Sequence, residues 1–196
     1  MLELAILGLL HEAPVHGYEL RKQLGLRLGG LRRNGLGVFS YGSLYPALRR
    51  LTRAGLIVEE PEEVAGARSR RSRRVYRITA EGKERFAELL TESGPQAWDD
   101  DGFGVHLAFF SRTPAEARMR ILEGRRRAVE ERREGLRSTL AKAGEQIDRY
   151  TRELHQLGLD TSDREVRWLN ELIATEQAEQ AQPESRENEG RGADHD

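Results

Sequence analysis

Hydrophobic positions near the start of the chain recur at helical spacing. Leu2, Leu4, Ile6, Leu7, Leu9 and Leu10 predict a short buried helix, closed at Ala13-Pro14 because the residue before a proline avoids helical geometry. From His16, the positions Tyr18, Leu20, Leu24, Leu26 and Leu28 predict a second helix that runs out at Gly29-Gly30. A glycine-bearing connector, Gly35 to Gly37, follows. Leu44, Ala47, Leu48 and Leu51 then form one apolar face of a third helix between Ser40 and Ala54, with Gly55 as its stop. Pro46 suits only the first turn, which favours Ser43 over Ser40 as the N-cap. Two β-prone runs, Leu56-Ile57-Val58 and Val75-Tyr76-Arg77-Ile78, flank a polar segment and predict a hairpin. Thr79 caps a helix carrying Phe86, Leu89 and Leu90.

The second half has a different period. Ser93 to Asp101, with Gly94-Pro95 and Asp99-Asp100-Asp101, shifts composition and predicts a linker. Phe103 to Phe110 predicts a short apolar helix. Thr113-Pro114-Ala115-Glu116 has the form of a capping box with proline at the first helical position. From there Leu122, Val129, Leu136, Ala143, Tyr150 and Leu157 recur every seventh residue, with Leu140, Ile147 and Leu154 interleaved. The earlier interleaved positions are Met119, Arg126 and Arg133, so the seam is strict only from Leu136. Ser162-Asp163-Arg164-Glu165 predicts the start of a further helix with Val166, Leu169 and Ile173 on one face. The expected fold is mainly α with a small β-hairpin wing. Its expected parts are a winged helix-turn-helix over 1–92, an acidic linker over 93–102, a helical, coiled-coil dimerisation and effector domain over 103–178, and a disordered tail over 179–196. Leu136, Leu140, Ile147, Tyr150, Leu154 and Leu157 are the expected dimerisation seam. The same stripe can instead fold back within one chain, as a hairpin against Val166, Leu169 and Ile173.

Composition changes this picture mainly by exclusion. A chain of 196 residues holds one ordinary domain or two small ones. It has no cysteine, which removes disulfides, thiolate metal sites and cysteine nucleophiles. No apolar run approaches the roughly 18 residues of a membrane span, and the apolar start lacks a basic leader region, so a cytoplasmic protein is expected. Arginine outnumbers lysine 29 to 3, which a GC-rich genome would produce by itself. The distribution of charge says more. Residues 1–90 carry 16 basic and 10 acidic side chains, a net +6, and residues 91–196 carry 16 and 23, a net −7. The first half therefore suits a polyanion.

On the third helix Tyr45, Arg49, Arg50 and Arg53 lie off the apolar face, where a recognition helix meets a major groove. In the hairpin loop Arg68, Arg70, Arg71, Arg73 and Arg74 fall within seven residues with no acid between them. Such a block repels itself until a polyanion neutralises it, and it suits phosphate and minor-groove contacts. No phosphate-binding loop, dinucleotide fingerprint or paired metal-ligand histidines point to an enzyme or a cofactor. Asp99 to Asp101 with His106 reads as a solvated acidic hinge rather than a cation site. Trp98, Phe103, Phe109, Phe110 and Trp168 are either candidate lining of an effector pocket or plain core.

Three blocks carry a resemblance: His16-Gly17-Tyr18-Glu19-Leu20; Ser40-Tyr41-Gly42-Ser43-Leu44-Tyr45-Pro46-Ala47-Leu48-Arg49-Arg50-Leu51 with Ala54-Gly55-Leu56-Ile57; and Arg74-Val75-Tyr76-Arg77-Ile78-Thr79-Ala80-Glu81-Gly82. In this order and spacing the chain resembles the PadR family of transcriptional regulators over nearly all of residues 1–90. The resemblance departs at Leu31 to Val38, an insertion-like stretch with two glycines and Arg32-Arg33. Residues 103–176 are similar to the family's C-terminal dimerisation domain in helix pattern and length. The resemblance implies a dimeric winged-helix repressor on a palindromic DNA operator, released by a small aromatic or cationic compound. It also implies that Tyr18, Tyr41, Ser43 and Tyr45 contact phosphates or base edges, although Tyr18 equally fits a core aromatic. Gly17 and Gly42 fit tight turns or close backbone approach. An alternative function is a ligand-independent protein-interaction adaptor that a basic module localises to DNA.

Overall fold

Leu4 through Leu10 are buried one after another, so the first helix, α1 (Leu2–Glu12), is covered on every side rather than amphipathic. It is the core of the first of two units, Met1–Pro114 and Ala115–Asp196. The computed structural model describes residues 1–28, 41–61, 74–143 and 147–189. Around α1 are α2 (Gly17–Leu28), α3 (Tyr41–Arg53) and α4 (Ala80–Thr91). Leu20, Leu24 and Leu28 of α2, Leu44, Leu48 and Leu51 of α3, and Phe86, Leu89 and Leu90 of α4 share this core. Arg85 of α4 donates to Glu3 at the start of α1 at 3.0 Å, and Arg27 of α2 clasps Glu12 at its end.

The sheet is antiparallel with order β1-β3-β2, where β1 is Val15–His16, β2 Ile57–Pro61 and β3 Arg74–Ile78. The expected hairpin is present with Ile57 opposite Ile78 and Glu59 opposite Tyr76. Sequence reading missed β1, which is only two residues long and pairs Val15 with Tyr76. Such a strand has no period to detect.

The third helix begins two residues before its expected N-cap, at Tyr41, so Pro46 falls in the second turn. There it cannot bond the carbonyl of Gly42, but both residues are exposed and solvent can take that oxygen.

The expected linker at 93–102 is instead built structure belonging to the first unit. Pro95–Trp98 form α5, and Asp99 Oδ1 accepts from the backbone N–H of Asp101 at 3.1 Å and of Gly102 at 2.6 Å. That use as a turn cap accounts for Asp99. Phe103–Leu107 then form α6, and Phe110–Arg112 a single 3-10 turn. Val105 and Phe109 join the core around α1, so the division falls after Pro114, not in the acidic stretch. Phe109 is held edge-to-face on Phe86, with ring centroids 5.8 Å apart, and its ring occupies the place a Cβ at Gly8 would take.

His106 of α6 is buried, and its Nδ1 has no hydrogen-bond partner. Burial, aided by the N-terminal ammonium and opposed by Asp99, lowers its pKa from 6.5 to about 4. The folded chain therefore favours neutral imidazole while the unfolded chain takes up a proton as pH falls below 6.5. Stability at neutral pH is lost progressively between pH 6.5 and about 4. Thermal melts across that interval should fall for the unaltered chain and more shallowly for His106→Phe.

The second unit is a two-helix hairpin, α7 (Ala115–Ala143) and α8 (Arg149–Glu189). The heptad run from Leu122 to Leu157 is thus divided between two helices, and the carboxylate of Asp148 before α8 accepts from the N–H of Tyr150 and Thr151 at 2.8 and 3.1 Å. Ile121, Leu122 and Val129 of α7 and Leu159, Val166, Leu169 and Ile173 of α8 are buried. Between the helices, Arg118 reaches both carboxylate oxygens of Glu176, Arg125 donates to Glu165 at 2.7 Å, Arg126 to Asn170 at 3.3 Å and Arg133 to Asp163 at 3.2 Å. The capping box expected at Ser162 lies mid-helix. Ser162 is buried and its hydroxyl donates to the Gly158 carbonyl at 2.9 Å, one turn back. Helix α8 also continues past the expected start of a disordered tail at 179, as far as Glu189. Among the described residues no helix is long and apolar enough to cross a membrane.

Candidate nucleic-acid interface

The third helix is anchored at its C-terminal end by a closed set of backbone bonds. Gly55 takes the left-handed conformation, with φ +73°, its N–H donates to the Thr52 carbonyl at 3.1 Å, and the N–H of Leu56 donates to Leu51 at 3.0 Å. Thr79 locks this turn to α4. Its hydroxyl donates to the Gly55 carbonyl at 2.7 Å and accepts from the N–H of Gly82 at 3.0 Å. A Cβ at Gly82 would lie 2.0 Å from the Leu56 carbonyl oxygen, so only glycine lets the two turns meet. The exposed face of α3 and the entry to the sheet are therefore fixed in one frame.

On that frame Arg49, Arg50 and Arg53 are exposed while Leu44, Ala47, Leu48 and Leu51 face the core. Tyr18 is 73% exposed near the start of α2, which removes the core reading of that residue. Tyr45 is only half-buried surface. It packs against the core, and a Cβ at Gly17 would lie 3.3 Å from its hydroxyl and from the Tyr76 ring. Gly17 thus makes room for two tyrosines, and Tyr45 shares its contact area between the core and the outer face. Ser43 is half-buried, and Tyr41 opens α3 with its side chain outside the described residues. Arg68, Arg70, Arg71 and Arg73 also lie outside the described residues, as does the stretch Leu31 to Val38. Arg74 is exposed on β3 and donates to Glu59 on β2 at 2.7 Å, while Arg77 donates to Glu60 at 3.3 Å. Sequence reading took Glu59 and Glu60 as part of a polar segment. Their signal was the antiparallel pairing of an acidic run with a basic one.

The expected seam divides. Leu136 and Leu140 are half-buried on α7, and Leu136 covers Gly158 of α8, where a Cβ would sit 3.1 Å from its methyl. Ile147 lies half-buried in a bend just before α8. Tyr150, Leu154 and Leu157 remain 81, 67 and 59% exposed at spacings of four and three on α8. The five aromatics expected either to line an effector pocket or to form core also divide. Phe103, Phe109 and Phe110 are buried and Trp98 half-buried in the first unit, while Trp168 is exposed in the second.

Three helices around a central apolar helix, an arginine-bearing third helix and a three-stranded antiparallel sheet define a winged-helix DNA-binding regulator. The model of the transcriptional regulator PadR-like family matches residues 6–88. Transcriptional regulator Rv3488 of Mycobacterium tuberculosis (strain ATCC 25618 / H37Rv) is 41% identical over 85 residues, covering 42% of this chain and 68% of that protein. Among solved structures, Bacillus subtilis PadR in complex with operator DNA is similar at 20% identity and TM-score 0.41, over 89% of this chain and 98% of that one. The Vibrio cholerae virulence activator AphA is similar at 19% identity and TM-score 0.38, over 91% and 99%. The chain belongs to the PadR-like family of transcriptional regulators, a family of regulators rather than enzymes.

Proposed function

We propose that the chain is a cytoplasmic homodimeric repressor that reads a palindromic operator with α3, holds phosphates with its wing and is released by a small-molecule effector. The observation that carries the dimer is the stripe Tyr150, Leu154 and Leu157, apolar and exposed on a helix whose opposite face is already buried in the hairpin. Association of two copies removes that stripe from water and sets two DNA-binding modules about one helical turn, ~34 Å, apart.

Arg49 is exposed on the helix that enters the groove, so Arg49→Ala should lower discrimination between operator and random duplex by roughly 1–3 kcal/mol. Arg70→Ala with Arg71→Ala should instead weaken both duplexes by similar factors and flatten the salt slope by about 0.9 per lost phosphate contact. One competition assay at several salt concentrations separates the two roles. Equal losses for Arg49→Ala, or a wing pair that harms only the operator, would reverse these assignments.

Effector release is supported by the family resemblance and by an exposed tryptophan, Trp168, on the helix that carries the dimer stripe. A hydrophobic aromatic effector should alter tryptophan fluorescence. Its affinity should fall on operator by the factor by which operator affinity falls in its presence. A compound that quenches the tryptophans and leaves operator affinity unchanged would occupy a passive site.

A further inference from the structure

One carboxylate of the sheet is tied to an arginine of the basic block. Glu59 is directly opposite Tyr76 in the β2–β3 register, on the sheet face that buries Ile57, Tyr76 and Ile78. Its Oε1 accepts from Arg74 Nη1 at 2.7 Å, and the pair is lopsided: the Glu59 side chain is 25% exposed and that of Arg74 66%. Burial, together with the nearby Glu59 carboxylate and Tyr45, raises the Tyr76 pKa. The Tyr76 ring packs beside Gly17 and Tyr45, so α2 and α3 fix the residue that faces Glu59 across the sheet. The neighbouring pair of Glu60 and Arg77 is longer, at 3.3 Å, and about half-exposed on both sides.

We propose that Glu59 is an intramolecular competitor for Arg74, a fixed carboxylate that takes this guanidinium from DNA phosphate and so sets the wing's sequence-independent affinity. The proposal rests on the reading of the wing as a phosphate-contacting element. An exposed ion pair is weak enough to be exchanged for a partner of higher charge density, and duplex DNA presents one phosphate per about 1.7 Å of its axis. While Arg74 stays paired with Glu59 the wing gives up one cation, and moving Arg74 to a phosphate costs the ion pair, so in either case the effect of Glu59 on DNA binding runs through Arg74. Arg74 is a binding residue, and Glu59 acts through it as a positioning residue.

The test is binding of the full chain to operator and random duplexes over a range of salt concentrations, for Glu59→Gln, Arg74→Ala and the double variant. Glu59→Gln should tighten both duplexes about three- to tenfold near 0.1 M salt and steepen the salt slope by about 0.9, the value for one added phosphate contact. Both gains should vanish when Arg74 is also alanine, which makes the coupling specific to this pair. Glu59→Ser, which removes the charge with a different shape, should give the same gain and guards against an effect of packing. Unchanged or weaker binding by both Glu59 variants would overturn the proposal, as would a gain that persists without Arg74. If the unaltered chain shows no salt-dependent binding to either duplex, the DNA-contacting reading of the wing fails first.

Discussion

Phe109→Ala is expected to destabilise the first unit by about 3–5 kcal/mol, a large part of the stability of an ordinary domain. The ring fills the place of a side chain at Gly8 on the central helix and meets Phe86 edge-to-face, so its loss opens a cavity where α1 and α4 come together. Backbone at the middle of α1 cannot collapse into that space without moving the seven buried residues from Leu4 to Leu10. Denaturant unfolding of the full chain should show an early loss of the first unit. A midpoint like that of the unaltered protein would mean that residues 95–112 are dispensable to the core. The same contact bears on truncation. A chain ending at Glu92, the expected end of the winged helix-turn-helix, lacks Phe109 and Val105 and should fold poorly. One ending at Pro114 keeps the whole core and should fold.

The second large effect concerns association. Replacing Tyr150 and Leu154 together by aspartate leaves the buried hairpin contacts of Val166, Leu169 and Ile173 in place, but sets two charges in the exposed stripe. The variant should sediment as a folded monomer. Its operator affinity should fall by roughly 10²-fold or more through loss of the linked half-site. A monomeric unaltered chain, or a monomeric variant that binds as tightly as the parent, would remove the dimer from the mechanism.

The parts that were legible in the sequence are those decided by local chemistry. Gly55 and Thr79 announce a helix stop and a helix start, and both do in the structure what glycine and threonine do at such positions. The apolar face of α3 could be read from spacing alone, and with it the outward placement of Arg49, Arg50 and Arg53. What escaped was decided by partners distant in sequence. The Gly8 and Phe109 contact joins residues that share no local pattern, so an acidic stretch between them passed for a linker. Ser162 has the spacing of a cap, but burial beside Gly158 keeps it in a continuous helix.

The heptad seam is the most instructive case, because an apolar stripe is the same whether its partner is another chain or the same one. Arg126 and Arg133, which interrupt the early repeat, mark the answer for that part of α7. Their partners Asn170 and Asp163 lie on the returning helix of the same chain. Past the turn, Tyr150, Leu154 and Leu157 are left facing outward with no such partner among the described residues.

The central claim, a dimeric winged-helix regulator that selects a palindrome, is tested most directly by footprinting the full chain on the DNA upstream of its own gene. The account predicts protection of one inverted repeat whose half-sites are about one helical turn apart, at protein concentrations that leave random DNA open. Protection that spreads evenly over any duplex, with no repeat favoured, would contradict it.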